Sequence, residues 1–243
     1  KEVLTMRWVS DPINVLARYK ITREQIADEG ISFIRKKSPG GAQYFIANLS
    51  NRFSDGLVRL AKINTAVELE NPLTGEIIKP TLAKNKQFFL QLAPGQSLLV
   101  RSIPTDKKIV PTEVVSKVFT PLVPEGQIQL NFPNNSLPSQ KMDALQWWTL
   151  DSVTHDYWGK GTYAFDFNLM EEQIPLGKVL HFDKIRDWVR VKINGKDLGL
   201  VWSLPYALKI PDGLLTTKNH IELEVMNVSA NRIRRLDREK FNW

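Results

Sequence analysis

The residues best suited to chemistry in this sequence are aromatic and polar side chains that crowd into one short stretch. An exposed aromatic ring matches the apolar C–H face of a pyranose sugar, and carboxylate or imidazole groups hydrogen-bond its rim of hydroxyls. This combination predicts a carbohydrate-binding site made of Trp147, Trp148, His155, Asp156, Tyr157 and Trp158. The alternative is that these rings fill the core of a domain or its lid, because buried aromatic side chains contribute strongly to core packing.

Pairs of acidic residues are the second kind of chemistry to consider. Hydrolysis of a glycosidic bond needs two carboxyl groups roughly 5–9.5 Å apart, which face each other across the sugar. The sequence offers several such pairs: Asp151 with Asp156, Glu171 with Glu172, and Asp183 with Asp187. None lies at the end of a strand in a βα repeat, where the catalytic groups of barrel enzymes project. We therefore predict no catalytic residue in this chain.

Histidine, cysteine and glycine patterns argue against a metal site or a nucleophilic centre. His155, His181 and His220 are far apart, and none forms a His-x-x-x-His ligand pair. Cysteine is absent, which excludes disulfides and thiolate chemistry. The sequence contains neither Gly-x-Ser-x-Gly nor a glycine-rich phosphate loop. We predict no metal ligand and no cofactor.

The distribution of charge bears on the partners. The formal net charge is +7, but basic residues are scattered among acidic ones, so we predict no nucleic-acid partner. The densest basic run, Arg232–Lys240, is interrupted by Asp237 and Glu239, which is typical of a solvated or domain-docking segment.

Apolar runs bear on the membrane and on processing. No run approaches the roughly 18–20 apolar residues of a membrane span. No apolar run near the start resembles a signal peptide, and the first residue is not Met. We expect a processed product or a piece of something longer.

The elements that must position these residues are short strands. The clearest is the hairpin Trp188–Trp202, in which valine and isoleucine alternate with polar residues before the turn Asn194-Gly195. We expect Trp188 and Trp202 themselves to serve core or inter-domain packing. The strand Gly161–Asn168 precedes this hairpin, and a strand around Ile221–Val225 follows it.

Short strands also fill residues 31–103, where Gly, Pro and Asn clusters separate runs of alternating hydrophobicity. Residues 104–140 are rich in proline, which interrupts regular strands. We therefore predict an all-β chain of two antiparallel β-sandwich, jelly-roll-like domains in series, after a short, partly helical N-terminal segment. The predicted domains are 31–103 and 104–243. Residues 1–30 are expected to be the tail of an upstream domain, a linker, or a clasp on the next domain.

Several of these motifs resemble a known family. The strand beginning Gly161-Thr162-Tyr163, the hairpin, Pro205-Tyr206 and the strand Asn219–Asn227 resemble the galactose-binding-like β-sandwich of glycoside hydrolases. The tail Ser229–Arg238 is similar to the segment ANRIRDLDR near the C-terminus of glycoside hydrolase family 106, the bacterial α-L-rhamnosidase-like enzymes. Arg235 departs from that pattern, which has an acidic residue there.

The resemblance implies a role for the chain in a larger enzyme. It implies an upstream catalytic barrel in the same polypeptide, and this region would be the non-catalytic C-terminal part that braces the barrel and contacts polysaccharide. By the same resemblance Asn231, Arg232 and Asp237 would dock it onto neighbouring domains. It also implies a periplasmic or extracellular bacterial protein, and it leaves calcium open as a cofactor of the full-length parent.

Three other functions remain open from the sequence. The chain could be an autonomous carbohydrate-binding module, with rings of residues 147–158 exposed on one patch. It could be a ligand-free scaffold, with those rings buried and with exposed apolar surface near residues 1–30 and 229–243 instead. A stand-alone enzyme would require a cleft lined by two carboxylates.

Overall fold

The computed structural model describes residues 12–19, 23–38, 41–63, 66–103, 119–133, 136–176 and 179–242. The chain divides into two compact units, Lys1–Lys117 and Val118–Trp243, each with its own hydrophobic core. Antiparallel strands form most of the regular structure, so the predicted all-β, sandwich-like fold is confirmed.

The first unit contains a five-stranded sheet of order β1-β2-β7-β4-β5 and a two-stranded sheet, β3-β6. The strands are β1 (Ser32–Ser38), β2 (Gly41–Ala47), β3 (Ser54–Arg59), β4 (Ala66–Glu70), β5 (Ile77–Ile78), β6 (Gln87–Leu92) and β7 (Ser97–Ile103). Alternate residues of β2, β6 and β7 are buried, as expected for strands with one face on a core.

Residues that precede β1 take part in this first core. Helix α1 (Pro12–Arg18) is followed by a 3-10 turn, Gln25–Ala27, in which Ile26 is fully buried. The buried carboxylate of Glu24 accepts hydrogen bonds from Arg35, from the Tyr44 hydroxyl at 2.9 Å and from the Ala61 amide at 2.8 Å. The described residues from Glu24 onwards therefore pack onto the first unit.

A buried asparagine, Asn48, connects two separate segments of this unit. The side-chain amide of Asn48 donates to the carbonyls of Arg52, at 2.7 Å, and Leu92, at 3.0 Å, and its carbonyl accepts from the Ser50 amide at 3.0 Å. These bonds join the turn after β2 to the end of β6. They satisfy polar groups that would otherwise be buried without partners.

The second unit contains a six-stranded sheet of order β13-β12-β15-β10-β8-β9 and a two-stranded sheet, β11-β14. Its elements are β8 (Glu125–Asn131), β9 (Gln140–Met142), β10 (Lys160–Asn168), β11 (Val179–His181), β12 (Trp188–Ile193), β13 (Lys196–Val201), β14 (Ala207–Lys209), β15 (Lys218–Met226) and α2 (Ala230–Arg238).

The predicted hairpin is strands β12 and β13. Asn194 and Gly195 have φ values of +51° and +77°, the two left-handed positions that a type I′ turn needs. The register shifts once between Val191 and Lys192, opposite Gly199, whose φ is +104°. This β-bulge turns the Asp197 side chain across the outer face of the sheet.

The six-stranded sheet has two unlike faces. Val189, Val191 and Ile193 are buried in the core, whereas Arg190 and Lys192 between them are exposed. The same alternation continues in β15 and β10. One face therefore holds the unit together, and the other presents charged side chains to solvent.

Residues Leu150–Trp158, expected to be a strand or a loop, form a loop of successive turns that follows the 3-10 helix Trp148–Leu150. One segment differs from the sequence-based expectation. The basic run near the C-terminus forms helix α2, which we did not predict as a helix. Among the described residues, no helix is long and apolar enough to cross a membrane.

Candidate functional site

Trp148, one of the six residues predicted to bind sugar, lies in the core of the second unit. It is only 5% exposed, and its ring packs against Phe132, Tyr157 and Tyr163 with centroid separations of 6.0–6.2 Å. Gly161 makes room for it, since a Cβ there would stand 2.9 Å from Trp148 Cζ3. Trp148 therefore presents no ring face to solvent.

Tyr157 is held from both ends. Its ring meets Phe132 edge-on at 4.8 Å, and its hydroxyl donates to the Lys160 carbonyl at 2.9 Å. Its own carbonyl accepts from the side-chain amides of Asn227 and Asn231, each at 3.1 Å. These contacts give Tyr157 a structural role. They also attach the start of α2 to the loop 150–158, which contains Tyr157.

His155 and Asp156 contact two arginines of α2. His155 Nδ1 lies 3.0 Å from Asp156 Oδ1, and Arg234 Nη2 lies 3.2 Å from His155 Nε2. Arg238 donates to Asp156 Oδ2. Desolvation alone would raise the pKa of Asp156, but the hydrogen bonds and charges of Arg238 and His155 outweigh it and lower the pKa. Asp156 is therefore held as a carboxylate and serves as an anchor for α2.

Trp158 and Trp147 keep part of their rings at the surface. Trp158 is 37% exposed, and the guanidinium groups of Arg232 and Arg235 lie 5.1 and 5.5 Å from its ring centroid. Trp147 is 40% exposed, with Arg186 at 5.4 Å. Cation–π contacts of this length are attractive, so arginines occupy ring faces that a sugar would use.

The six predicted residues thus do not form one open patch. The trio predicted to dock onto neighbouring domains is also divided: Asn231 and Arg232 contact Tyr157 and Trp158 of their own unit, and Asp237 is exposed on α2. Sequence reasoning missed Arg234 and Arg238 as the partners of His155 and Asp156. Their spacing of four residues, which puts two side chains on the same side of a helix, is the signal that could have found them.

A second group of polar side chains surrounds a depression on the outer face of the six-stranded sheet. The depression has a volume of about 350 Å³ and is lined by Lys160, Thr162, Arg190, Lys192, Asp197, Glu222 and Glu224. We did not predict it from the sequence. Charged residues alternate with buried ones in β12 and β15, but the sequence does not reveal that these strands are neighbours.

The charges in this depression are paired across strands. Lys160 Nζ lies 3.1 Å from Glu224 Oε1, Lys192 Nζ lies 3.9 Å from Glu222 Oε2, and Arg190 Nε donates to Asp197 Oδ2 at 2.8 Å. The Arg190 hydrogen bond, aided by the Gly199 amide, lowers the pKa of Asp197. A carboxylate held ionised in this way suits hydrogen-bond acceptance rather than proton donation.

Other acidic residues considered as catalytic pairs have local structural contacts. Asp151 Oδ1 accepts from the Val153 amide at 2.8 Å, and Asp187 Oδ2 accepts from the Val228 amide at 3.2 Å. Glu171 and Glu172 lie exposed in the 3-10 helix Glu171–Leu176. Within the described part of the chain, no three His, Asp or Glu side chains gather as a metal site.

Comparison with known proteins relates the chain to parts of glycoside hydrolases. The rhamnosidase from Novosphingobium sp. PP1Y matches with a TM-score of 0.71 and 19% identity, over 90% of this chain and 22% of that enzyme. The "Putative beta-glucuronidase" of Formosa agariphila is 26% identical over 132 residues, which are 52% of this chain and 11% of that protein. No family model matches the chain. The structural match establishes a shared fold, and the chain spans a small part of both relatives.

Proposed function

We propose that this chain is the non-catalytic C-terminal β-sandwich region of an α-L-rhamnosidase-like glycoside hydrolase of family 106. The observation that carries the proposal is that 90% of the chain matches 22% of a rhamnosidase in fold. The tail Ser229–Arg238 supports the narrower family. In this proposal the region braces a catalytic domain elsewhere in the same exported bacterial polypeptide.

The state of the carboxylates supports a non-catalytic role. A glycosidase needs one carboxylic acid that keeps its proton near neutral pH, and this requires a raised pKa. Asp156 and Asp197 instead have lowered pKa values because each accepts a hydrogen bond from an arginine. Glu222 and Glu224, the remaining carboxylates of the depression, each face a lysine.

An apolar row on the first unit supports the bracing role. Ile34, Phe45 and Leu99 lie opposite one another on β1, β2 and β7, and Ile34 and Phe45 are exposed. Single exposed apolar side chains are ordinary, but a contiguous apolar patch marks a contact surface, and these residues are neighbours across strands. In our proposal this row faces the rest of the longer polypeptide.

The test is a hydrolysis assay on the purified chain. We expect no turnover of aryl α-L-rhamnosides or aryl β-D-glucuronides above that of a sample in which both Glu222 and Glu224 are replaced by Gln. Turnover that disappears in this double variant would make the depression an active site and overturn the proposal. Turnover that is unchanged in the double variant would indicate a contaminating enzyme. In that case the activity should disappear after further purification of the chain.

A further inference from the structure

We infer that the depression on the outer face of the six-stranded sheet binds a neutral oligosaccharide. This is a different place from the stretch 147–158 that the sequence suggested. The choice of a saccharide as ligand rests in part on the function proposed above. The geometry and chemistry of the surface supply the rest of the argument.

The strand register places three rows of side chains on this face. Trp188, Met226 and Lys160 lie opposite one another on β12, β15 and β10. The next row along the strands is Arg190, Glu224 and Thr162, and the one after it is Lys192, Glu222 and Ala164. Thr162 and Ala164 have short side chains, whereas their neighbours in these rows are long and charged. This difference in length accounts for the depression.

The polar lining suits sugar hydroxyls. Three cations and three carboxylates line the depression, so their formal charges cancel. A hydroxyl both donates and accepts, and each cation–carboxylate pair offers a donor and an acceptor side by side. A neutral saccharide can use both members of a pair, whereas a polyanion would be attracted by one and repelled by the other.

An apolar border completes the amphipathic surface that a pyranose requires. Trp202 is 59% exposed, so it does not pack in the core. It directly follows β13, two residues after Leu200, which lies opposite Arg190 and is also exposed; we infer its face by continuing the alternation of β13 by one residue. Trp188 lies in the row beyond Arg190, with Lys160 Nζ 5.7 Å from its ring centroid. The Trp202 indole thus borders the charged rows at one end, whereas Lys160 lies over the ring of Trp188.

Arg190 and Asp197 are held in place before a ligand arrives. They project from paired strands, and the bulge at Gly199 fixes Asp197, whose Oδ1 accepts from the Gly199 amide at 2.9 Å. Fixed groups lose less conformational entropy on binding than mobile ones. We place one sugar ring against Trp202 and the hydroxyls of the next ring on Arg190 and Glu224.

The experiment titrates the whole chain with oligosaccharides and follows binding by calorimetry. The probes are neutral rhamnose-containing oligosaccharides, neutral gluco-oligosaccharides and oligomers of galacturonic acid. The variants are Trp202→Ala and Glu224→Gln, with Trp147→Ala and Trp158→Ala as matched controls from the other aromatic stretch. Circular dichroism confirms that each variant is folded.

We expect saturable binding of a neutral oligosaccharide that weakens roughly tenfold or more in Trp202→Ala and Glu224→Gln and is unchanged in both controls. Loss of binding in the controls alone would move the site to residues 147–158. Absence of binding in the folded chain, or preference for the galacturonic acid oligomers, would overturn the inference and leave a solvated ion-pair surface. The binding titration tests this inference, and the hydrolysis assay tests the proposed function. A negative result in one experiment therefore does not decide the other.

Discussion

At the scale of single residues, the partner of a side chain decides its role more than its type does. Trp148 and Trp202 are both tryptophans in short-stranded sequence, yet one is buried against three aromatic rings and the other is largely exposed. Period-two alternation predicts which side of a strand a residue occupies. It does not predict whether the neighbouring strand covers that side, which depends on contacts distant in sequence.

Gly161 illustrates a residue whose role only the neighbours reveal. In Gly161→Ala the new Cβ would meet the Trp148 ring and come within 3.1 Å of Leu130 Cδ1. We expect a loss of about 1–3 kcal/mol in the free energy of unfolding, because a tightly packed core resists added volume. Urea denaturation of the wild-type chain and the variant measures this difference in the free energy of unfolding. In the background Trp148→Leu the same substitution should cost much less, and an equal cost in both backgrounds would refute the packing explanation.

Two buried tyrosines predict how stability depends on alkaline pH. Burial raises the pKa of Tyr44, where the Glu24 carboxylate adds to the effect, and the pKa of Tyr163, in both cases to about 12. The unfolded value is about 10, so each contributes stability that is complete below pH 10 and is lost as pH rises towards 12.

The measurement is denaturant unfolding at pH 8 and pH 11. Between these two pH values we expect the free energy of unfolding of each of the two structural units to fall by an amount on the order of 1 kcal/mol. Tyr163→Phe should remove that fall from the second unit alone, and Tyr19→Phe, which changes an exposed tyrosine, should alter neither. A fall that persists in Tyr163→Phe would show that another group is responsible.

At the scale of elements, local patterns predicted the strands well and the final helix poorly. The Asn194-Gly195 turn carries its geometry in two residues, so the hairpin was predictable. Helix α2 spans only Ala230–Arg238, and a helix this short is marginal in isolation. It is attached through contacts with His155, Asp156 and Trp158, which lie more than 70 residues earlier in the sequence.

Loosening those contacts should release α2 without unfolding the unit. In Arg238→Ala or Asp156→Asn we expect faster amide exchange in residues 230–238 and unchanged exchange in β12 and β15. Asp237→Asn, which changes an exposed residue, is a control on the same helix that leaves Asp156 untouched. Unchanged exchange in α2 would show that the Asn231 and Trp158 contacts suffice to hold it.

The same contact gives α2 a dependence on acid. The pKa of Asp156 is lowered in the folded chain, so its contribution is present above the unfolded value of about 4 and is lost as pH falls below it. Exchange in α2 should therefore accelerate in acid relative to the sheet, after correction for intrinsic rates. The variant Asp156→Asn should lack this extra acceleration.

At the scale of the whole molecule, the chain is two units with separate hydrophobic cores. The serial β-sandwich arrangement could be inferred from strand spacing and proline content. The depression could not be inferred from the sequence. Its lining residues lie on four strands, β10, β12, β13 and β15, which become neighbours only in the folded sheet.

Separate cores predict separate responses to core truncation. Leu90→Ala in the first unit and Leu130→Ala in the second should each cost about 2–5 kcal/mol, since both side chains are fully buried. We expect faster amide exchange only in the unit that carries the substitution. Equal acceleration in both units from either change would show that they unfold as one.

The buried amide of Asn48 bears on how the protein can be made. Asn48-Leu49-Ser50 is an acceptor sequence for N-linked glycans in a eukaryotic secretory pathway. Its side-chain nitrogen already donates to Arg52 and Leu92, and the residue has almost no surface. A glycan attached there would replace those bonds and could not fit inside the first unit. Secretion from yeast or insect cells should therefore yield a misfolded glycoform, which a host without N-glycosylation avoids.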